Sequence, residues 1–357
     1  MLYRAAGIRH TRYQDERRLW PYAFDRGLVT LVVLTMLAAP WLFSGLQMSS
    51  YVLPWVIWST AALGLNLLMG GAGQIHLGYA AVMAIGAYTS VHAVRLGLPF
   101  ELSLILSGFV AAAIGTMFGA AALRIRGLYL AVATLAMQYI VDFVIGHVPA
   151  VSGGTQAAIV APAPSIFGFA LRSDSAVYYL ALAVCAVVTI FSLNVRRTSF
   201  GRALAAIREK DFAAEILGVS AFRFKLSAFW ASSFIGGVAG TLLAFCYYRT
   251  VTPEQFHIEI SIQLVAMVIV GGLGSVLGSF FGAGLILLAP LIINNLIDAM
   301  MRSVGIDIGT DFRSHAPLMI FGALIVGFLL IEPLGLAKMY DNVRKYFLVW
   351  PFRHMGK

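Results

Sequence analysis

Charge is what this sequence has least of. Only 11% of its 357 residues are Asp, Glu, Lys or Arg, against 60% apolar. A soluble domain carries about 25% charged residues. The 41 charges here, 25 basic and 16 acidic, cannot cover the surface of a water-soluble globule of this length. Disorder is excluded as well, because unfolded chains are poor in the Leu, Ile, Val and Phe that dominate here. The two cysteines, Cys185 and Cys246, lie in apolar runs without a CxxC spacing, so they read as packed hydrophobes and not as a metal or disulfide framework. The first 26 residues are polar and basic, and no A-x-A site follows a short apolar core, so no cleavable signal is expected. No G-x-x-x-x-G-K-[ST] phosphate loop occurs. No Ser/His/Asp set or carboxylate pair stands in a water-accessible loop, and the dispersed His76 and His147 lack further ligands at metal spacing.

What the sequence has instead is long apolar runs. A helix needs about 20 such residues to cross a bilayer core. That rule gives about ten candidate spans: 28–46, 51–70, 75–95, 101–123, 127–148, 174–193, 222–248, 258–272, 276–297 and 316–332. The runs are continuous and not alternating, so helices are expected and not barrel strands. The expected fold is an all-α polytopic membrane protein, one or two of whose helices are broken or re-entrant. The eighth run is short, and the third opens on the polar, Gly-rich stretch Gly70-Gly71-Ala72-Gly73-Gln74-Ile75-His76. The expected organisation is a tail over 1–27, a transmembrane domain over 28–335 and a tail over 336–357.

Basic residues orient the chain. Six lie in the N-terminal tail (Arg4, Arg9, Arg12, Arg17, Arg18, Arg26), and Arg124 and Arg126 follow the fourth span. Seven lie between the sixth and seventh spans (Arg196, Arg197, Arg202, Arg208, Lys210, Arg223, Lys225), and five in the last tail (Lys338, Arg344, Lys345, Arg353, Lys357). With ten spans all twenty share one face, leaving Arg95, Arg172, Arg249, Arg302 and Arg313 opposite, which puts both termini in the cytoplasm. Charge spread over several loops of one face fits topology and anionic lipid. It lacks the single basic stripe with interleaved aromatics that nucleic acid requires.

Two connections are long. The external loop 149–173, with Ser152-Gly153-Gly154-Thr155-Gln156 and Pro162 and Pro164, reads either as a lid or as a connector. The cytoplasmic loop 194–221 is rich in helix formers. Phe200, Leu204 and Ile207, then Phe212 and Ile216, fall at helical spacing. Asp211 reads as a cap and Gly218 as a stop. An amphipathic helix pair of this kind lies on lipid or docks in a partner's groove.

The segment Ser199–Glu209 with Phe212-Ala213-Ala214-Glu215-Ile216-Leu217-Gly218-Val219 resembles the cytoplasmic coupling loop of the branched-chain amino acid ABC permeases, more narrowly their LivM-like half. Gly73–Ala81 continuing to Gly86–Thr89 is similar to the family's GQxSLGHAAFxxIGAYT block. Arg126–Leu135 resembles RGxYLAxxTL, and Val270–Ser275 with Gly278 resembles GGxGSxxGP. Together the blocks cover residues from about 60 to 335. The chain departs from the pattern at His76 and at Gly78-Tyr79, where the family has Ser and Gly-His. It has Phe212 for the Glu of the wider permease pattern, and Ser-Gly-Gly-Thr-Gln at 152–156.

The resemblance implies an importer subunit of the bacterial inner membrane for branched-chain or related amino acids. Its partners would be a LivH-like permease, two cytoplasmic ATPases that hold the ATP and Mg, and an external substrate-binding protein; this chain would hold no cofactor and catalyse nothing itself. Phe212, Ala213, Ala214, Glu215 and Gly218 would form the coupling element. A urea or short-amide permease of the same family is the alternative substrate reading, and a self-sufficient channel or carrier the more distant one. From the residues themselves, Gln74, Gly78, Thr134 and Gln138 are candidates to line the path, with helix packing as the other reading. Asp142 is the carboxylate well inside a span. The spaced glycines Gly274, Gly278 and Gly282, and Gly236 and Gly240, predict close helix packing.

Overall fold

The computed structural model describes residues 23–123, 128–154, 158–166, 168–304 and most of 319–349. Arg4, Arg9, Arg12, Arg17, Arg18, Arg124, Arg126, Thr155, Gln156, Arg313, Arg353 and Lys357 lie outside the described residues.

The described chain is mostly helical. Helix α1 is Ala23–Leu42, and α2 runs over Gly45–Gly71 with π-turns at Met48–Val52 and Leu67–Gly71. Then come α3 (Tyr79–Arg95), α4 (Phe100–Ala122), α5 (Leu128–His147) and α6 (Asp174–Arg197). Two short helices, α7 (Ser199–Glu209) and α8 (Asp211–Ile216), form the loop hairpin. Helix α9 (Ala221–Leu242, extended by a π-turn to Tyr248), α10 (Ile258–Gly271, after a 3-10 turn at Pro253–Phe256), α11 (Val276–Val304) and α12 (Leu336–Val349) complete the set.

Six of these stretches are long and apolar enough to cross a membrane: Gly45–Gly71, Phe100–Ala122, Tyr129–His147, Asp174–Arg197, Ala221–Tyr248 and Pro253–Gly271. The expected spans coincide with helices from 28–46 to 276–297, with adjusted ends. Within 316–332 the described residues are helical in patches. The expected third span is the most altered. Residues 73–78 are not helical, and α3 keeps 17 residues, about 25 Å of helix. The sixth span extends to Arg197, because Arg196 and Arg197 in the last turn complement the helix dipole.

Helix α2 is the centre of the bundle: 94% of its apolar window is buried, against 83% for α9 and 33% for α4 and α6. Helix α4 shows how a chain is sorted when lipid is the solvent. Its large residues Leu102, Ile105, Leu106 and Phe109 are exposed, while Ser103, Ser107, Gly108, Ala111, Gly115 and Gly119 are turned inward. Lipid tails are as apolar as leucine, so small residues that admit a neighbouring backbone win the interior. The predicted glycine stripes pack in this way. A Cβ on Gly240 would strike the Met83 carbonyl of α3, and one on Gly86 the Gly237 carbonyl of α9. Gly278 and Gly282 sit against the Gly271 and Met267 carbonyls of α10. Gly274 differs: it precedes α11 in a turn and lies against Gly70.

Neutral polar groups fasten these helices across the bundle. Ser232 Oγ donates to Gly64 O (2.7 Å), Tyr79 OH to Ser232 O (2.9 Å) and Trp55 Nε1 to Phe280 O (3.0 Å). The loop 149–173 is tied down at several points. Strand β1 (Ile159–Val160) pairs with β4 (Thr250–Val251) after α9, while β2 (Ser165–Ile166) and β3 (Phe169–Ala170) form a hairpin. His92 of α3 meets Val151 O at 2.6 Å.

Candidate functional site: the helix break and its surface hairpin

The Gly-rich stretch predicted to interrupt a helix does so between α2 and α3. An interruption leaves carbonyls at one helix end and N–H groups at the other without partners, and lipid offers none, so such backbone survives only when buried in protein. The N–H end is satisfied from three directions. Leu77 N donates to Thr134 Oγ1 (3.0 Å), Gly78 N to His76 Nδ1 (3.1 Å), Ala80 N to Ser261 Oγ (2.8 Å) and Ala81 N to Gln138 Oε1 (2.8 Å). Thr134 and Gln138 stand one turn apart on α5, and Ser261 comes from α10. Together they cap α3 in place of a residue of its own.

Gln138 uses its full amide. Besides accepting from Ala81 N, its Oε1 accepts from Ser261 Oγ (3.1 Å), and its Nε2 donates to Phe256 O (2.8 Å) and Asp142 Oδ1 (3.0 Å). It is wholly buried, and Thr134 is 2% exposed. Gly78 abuts the Thr134 carbonyl, where a Cβ has no room. Gln74 is half-buried and bonds within the break, to Ala72 O at 3.1 Å. The structure therefore brings Gly78, Thr134 and Gln138 together at one junction. Asp142 joins its outer edge, with Oδ2 3.7 Å from His257 Nδ1.

The carbonyl end of the break is held by the hairpin. Arg208 of α7 donates from Nη1 to Gly70 O at 2.6 Å, a cation on a helix C-terminus. Asn66, one turn earlier, donates to Ser275 O and Ser279 Oγ (both 2.8 Å) and accepts from Gly274 N (2.7 Å). The α10–α11 turn, the break and the hairpin thus meet at one place. Neither Arg208 nor Asn66 stands out in the sequence as a contact of the break: one lies 138 residues from Gly70, the other 208 from Gly274.

The two hairpin helices do different things. The apolar face of α7 is turned onto the bundle: Leu204 and Ile207 are buried, and the Phe200 ring packs tilted against Phe224, with centroids 5.6 Å apart. That face covers the chain's own bundle. On α8, Ala214 is buried with Ile207 and Ala221, whereas Phe212, Ile216 and Leu217 are 73%, 71% and 82% exposed. Ala213 and Glu215 are exposed beside them. Asp211 lies just inside α8, accepting from Phe212 N (2.9 Å) and facing Lys225 Nζ at 3.5 Å; Lys210 occupies the cap position.

Gly218 ends α8 as the spacing predicts, at φ +86°. Gly218 N donates to Glu215 O and Val219 N to Ala214 O, both at 3.0 Å, the paired closing bonds of a Schellman motif. A Cβ here would touch none of the described residues, so what requires glycine is the left-handed backbone and not crowding among them.

These features define a polytopic helical membrane protein built around a capped helix break, with a helical hairpin at one surface. The family model "Branched-chain amino acid transport system / permease component" matches residues 47–331, and the chain belongs to that family. It is 32% identical to the high-affinity branched-chain amino acid transport system permease protein LivM of Escherichia coli, over 90% of this chain and 72% of the relative. Two Methanocaldococcus jannaschii proteins also match. A probable LivM permease is 23% identical over 66% of this chain and 67% of its own length. A probable LivH permease is 27% identical over 77% and 86%. No solved structure matches.

Proposed function

We propose that this chain is the LivM-like membrane subunit of an ABC importer for branched-chain amino acids, in the bacterial inner membrane. It would cross about ten times with both termini in the cytoplasm. It would pair with a LivH-like permease, two ATPases that bind ATP and Mg, and an external binding protein. The observation that carries this reading is the exposed apolar face of α8, Phe212, Ile216 and Leu217, in a chain of the permease family. An amphipathic helix that anchors its neighbour and leaves its own apolar side open suits a groove in a soluble partner. Arg208 then gives the motion a route. A shift of the hairpin pulls on Gly70 O, and through Asn66 on the α10–α11 turn, biasing the break between two arrangements. Gln74, Gly78, Thr134 and Gln138 would stand where the path passes the break.

Three measurements test this. Deleting the gene should abolish uptake of radiolabelled leucine, and loss of urea or amide uptake alone would reassign the substrate. Leu217→Asp should lower leucine uptake at least about tenfold, since truncating an interface anchor commonly costs 2 kcal/mol or more, with membrane abundance unchanged. Normal uptake in that variant would remove the docking role of α8. Gly218→Val should also depress uptake while Gly218→Asn retains most of it, because asparagine tolerates the left-handed backbone far better than a β-branched residue.

A further inference from the structure

A cavity of about 340 Å³ lies between the last turns of α2 and α6, helix α7 and the α10–α11 turn. Its lining is apolar at Leu63, Leu67 and Val276, and carries Arg196, Arg202 and Arg208 with one acid, Glu209. Among the described residues none of these arginines forms an ion pair with a carboxylate. Arg202 and Arg208 spend one N–H each on the carbonyls of Arg197 and Gly70. Each guanidinium has five N–H donors, so most remain open. Ser192 also lines the cavity; it is 4% exposed, and among the described residues its Oγ has no hydrogen-bond partner. A buried hydroxyl without a partner is uncommon. Here it lines the same hollow as three cations, so the hollow holds more positive charge and more donors than the described residues satisfy.

We infer that this cavity binds a phosphate group, that of an anionic phospholipid headgroup. Guanidinium groups engage phosphate oxygens with paired N–H donors, and basic pockets at the membrane surface between spanning helices hold such headgroups. The surroundings favour a lipid over a free anion. The cavity lies at the ends of α2 and α6, two helices long and apolar enough to cross a membrane, which puts it at the level where headgroups sit. The apolar part of the lining, Leu63, Leu67 and Val276, accommodates the glycerol backbone. Nothing in this assignment depends on the transported substrate.

The test is native mass spectrometry of the full-length protein, purified with its copurifying subunits and exchanged into zwitterionic lipid. Phosphatidylglycerol or cardiolipin is then titrated back. One anionic phospholipid per chain should survive detergent washing. Arg196→Gln with Arg202→Gln should weaken its retention by roughly tenfold to thirtyfold, following the usual contribution of two basic residues at an anionic surface. Should that double variant fail to fold, the near-isosteric Ser192→Ala, expected to weaken retention about threefold by loss of one hydrogen bond, carries the test. Equal retention of phosphatidylethanolamine, or unchanged retention in both variants, overturns the assignment. Displacement by millimolar inorganic phosphate or leucine would give the cavity to a soluble anion and overturn the lipid.

Discussion

A Gly240→Val variant is expected to be lost from the membrane. The new side chain would enter the space held by the Met83 carbonyl of α3. Relief requires α3 and α9 to separate, since backbone has no rotamer to give. The same pair of helices touches again at Gly86 and Gly237, so separation at one crossing strips both. Overpacking of a well-filled interior typically costs 1–3 kcal/mol, and a backbone-on-backbone clash belongs at or beyond the upper end. We expect about 4 kcal/mol of destabilisation, enough to leave little folded protein. Gly27→Val is the control, because no described residue lies within 4 Å of a Cβ at that position; it should change stability by no more than about 0.5 kcal/mol. The check is the yield and melting temperature of purified protein followed by size-exclusion chromatography. A Gly240→Val protein that elutes and melts like the parent would mean that α3 and α9 do not cross this closely.

Gln138→Leu should be the most damaging substitution of similar volume. Four groups lose their partner at once: Ala81 N, Ser261 Oγ, Phe256 O and Asp142 Oδ1. Each buried polar group left unpaired costs about 1–3 kcal/mol in a protein interior, whereas hydrogen bonds measured within membrane proteins average nearer 0.6 kcal/mol. The two figures bracket a total of about 2 to 12 kcal/mol. We place the effect near 4 kcal/mol, because Ser261 can still reach Ala80 and the retained donors find new geometry. Gln138→Glu separates capping from mere polarity. It keeps the acceptor for Ala81 N but sets a carboxylate facing Asp142, so it should be nearly as harmful. Melting temperature measured in one detergent for all three proteins decides the matter, and a Gln138→Leu protein as stable as the parent would refute the cap.

The two substitutions probe different layers of the design, and they differ in how far the sequence announced them. The packing glycines are legible. Spacing of Gly236 and Gly240, and of Gly278 and Gly282, is a local pattern with a local meaning. The hairpin is legible too, since Gly218 and the apolar residues at helical spacing are neighbours in the chain. Gln138 was visible only as a polar residue in an apolar run, equally suited to line a path or to pack. Its partners lie 57 residues away in α3 and 123 away in α10, and no period in the sequence links them. The same distance hid the contacts of Arg208, Asn66 and the unpartnered Ser192. It also left open which surface α7 would cover, because amphipathicity states that a helix has an apolar side and not what meets it.

By itself the sequence determined the solvent, the helical class, the place of the break, the hairpin and the family, because scarcity of charge, run length and glycine spacing act over a few turns of chain. Tertiary structure alone decided how the break is made tolerable. In lipid every backbone group must find a partner inside the protein, and the partners at this break were supplied from helices far apart in sequence. It also gathered three arginines, in a chain with few charges, around one hollow where no described carboxylate pairs with them.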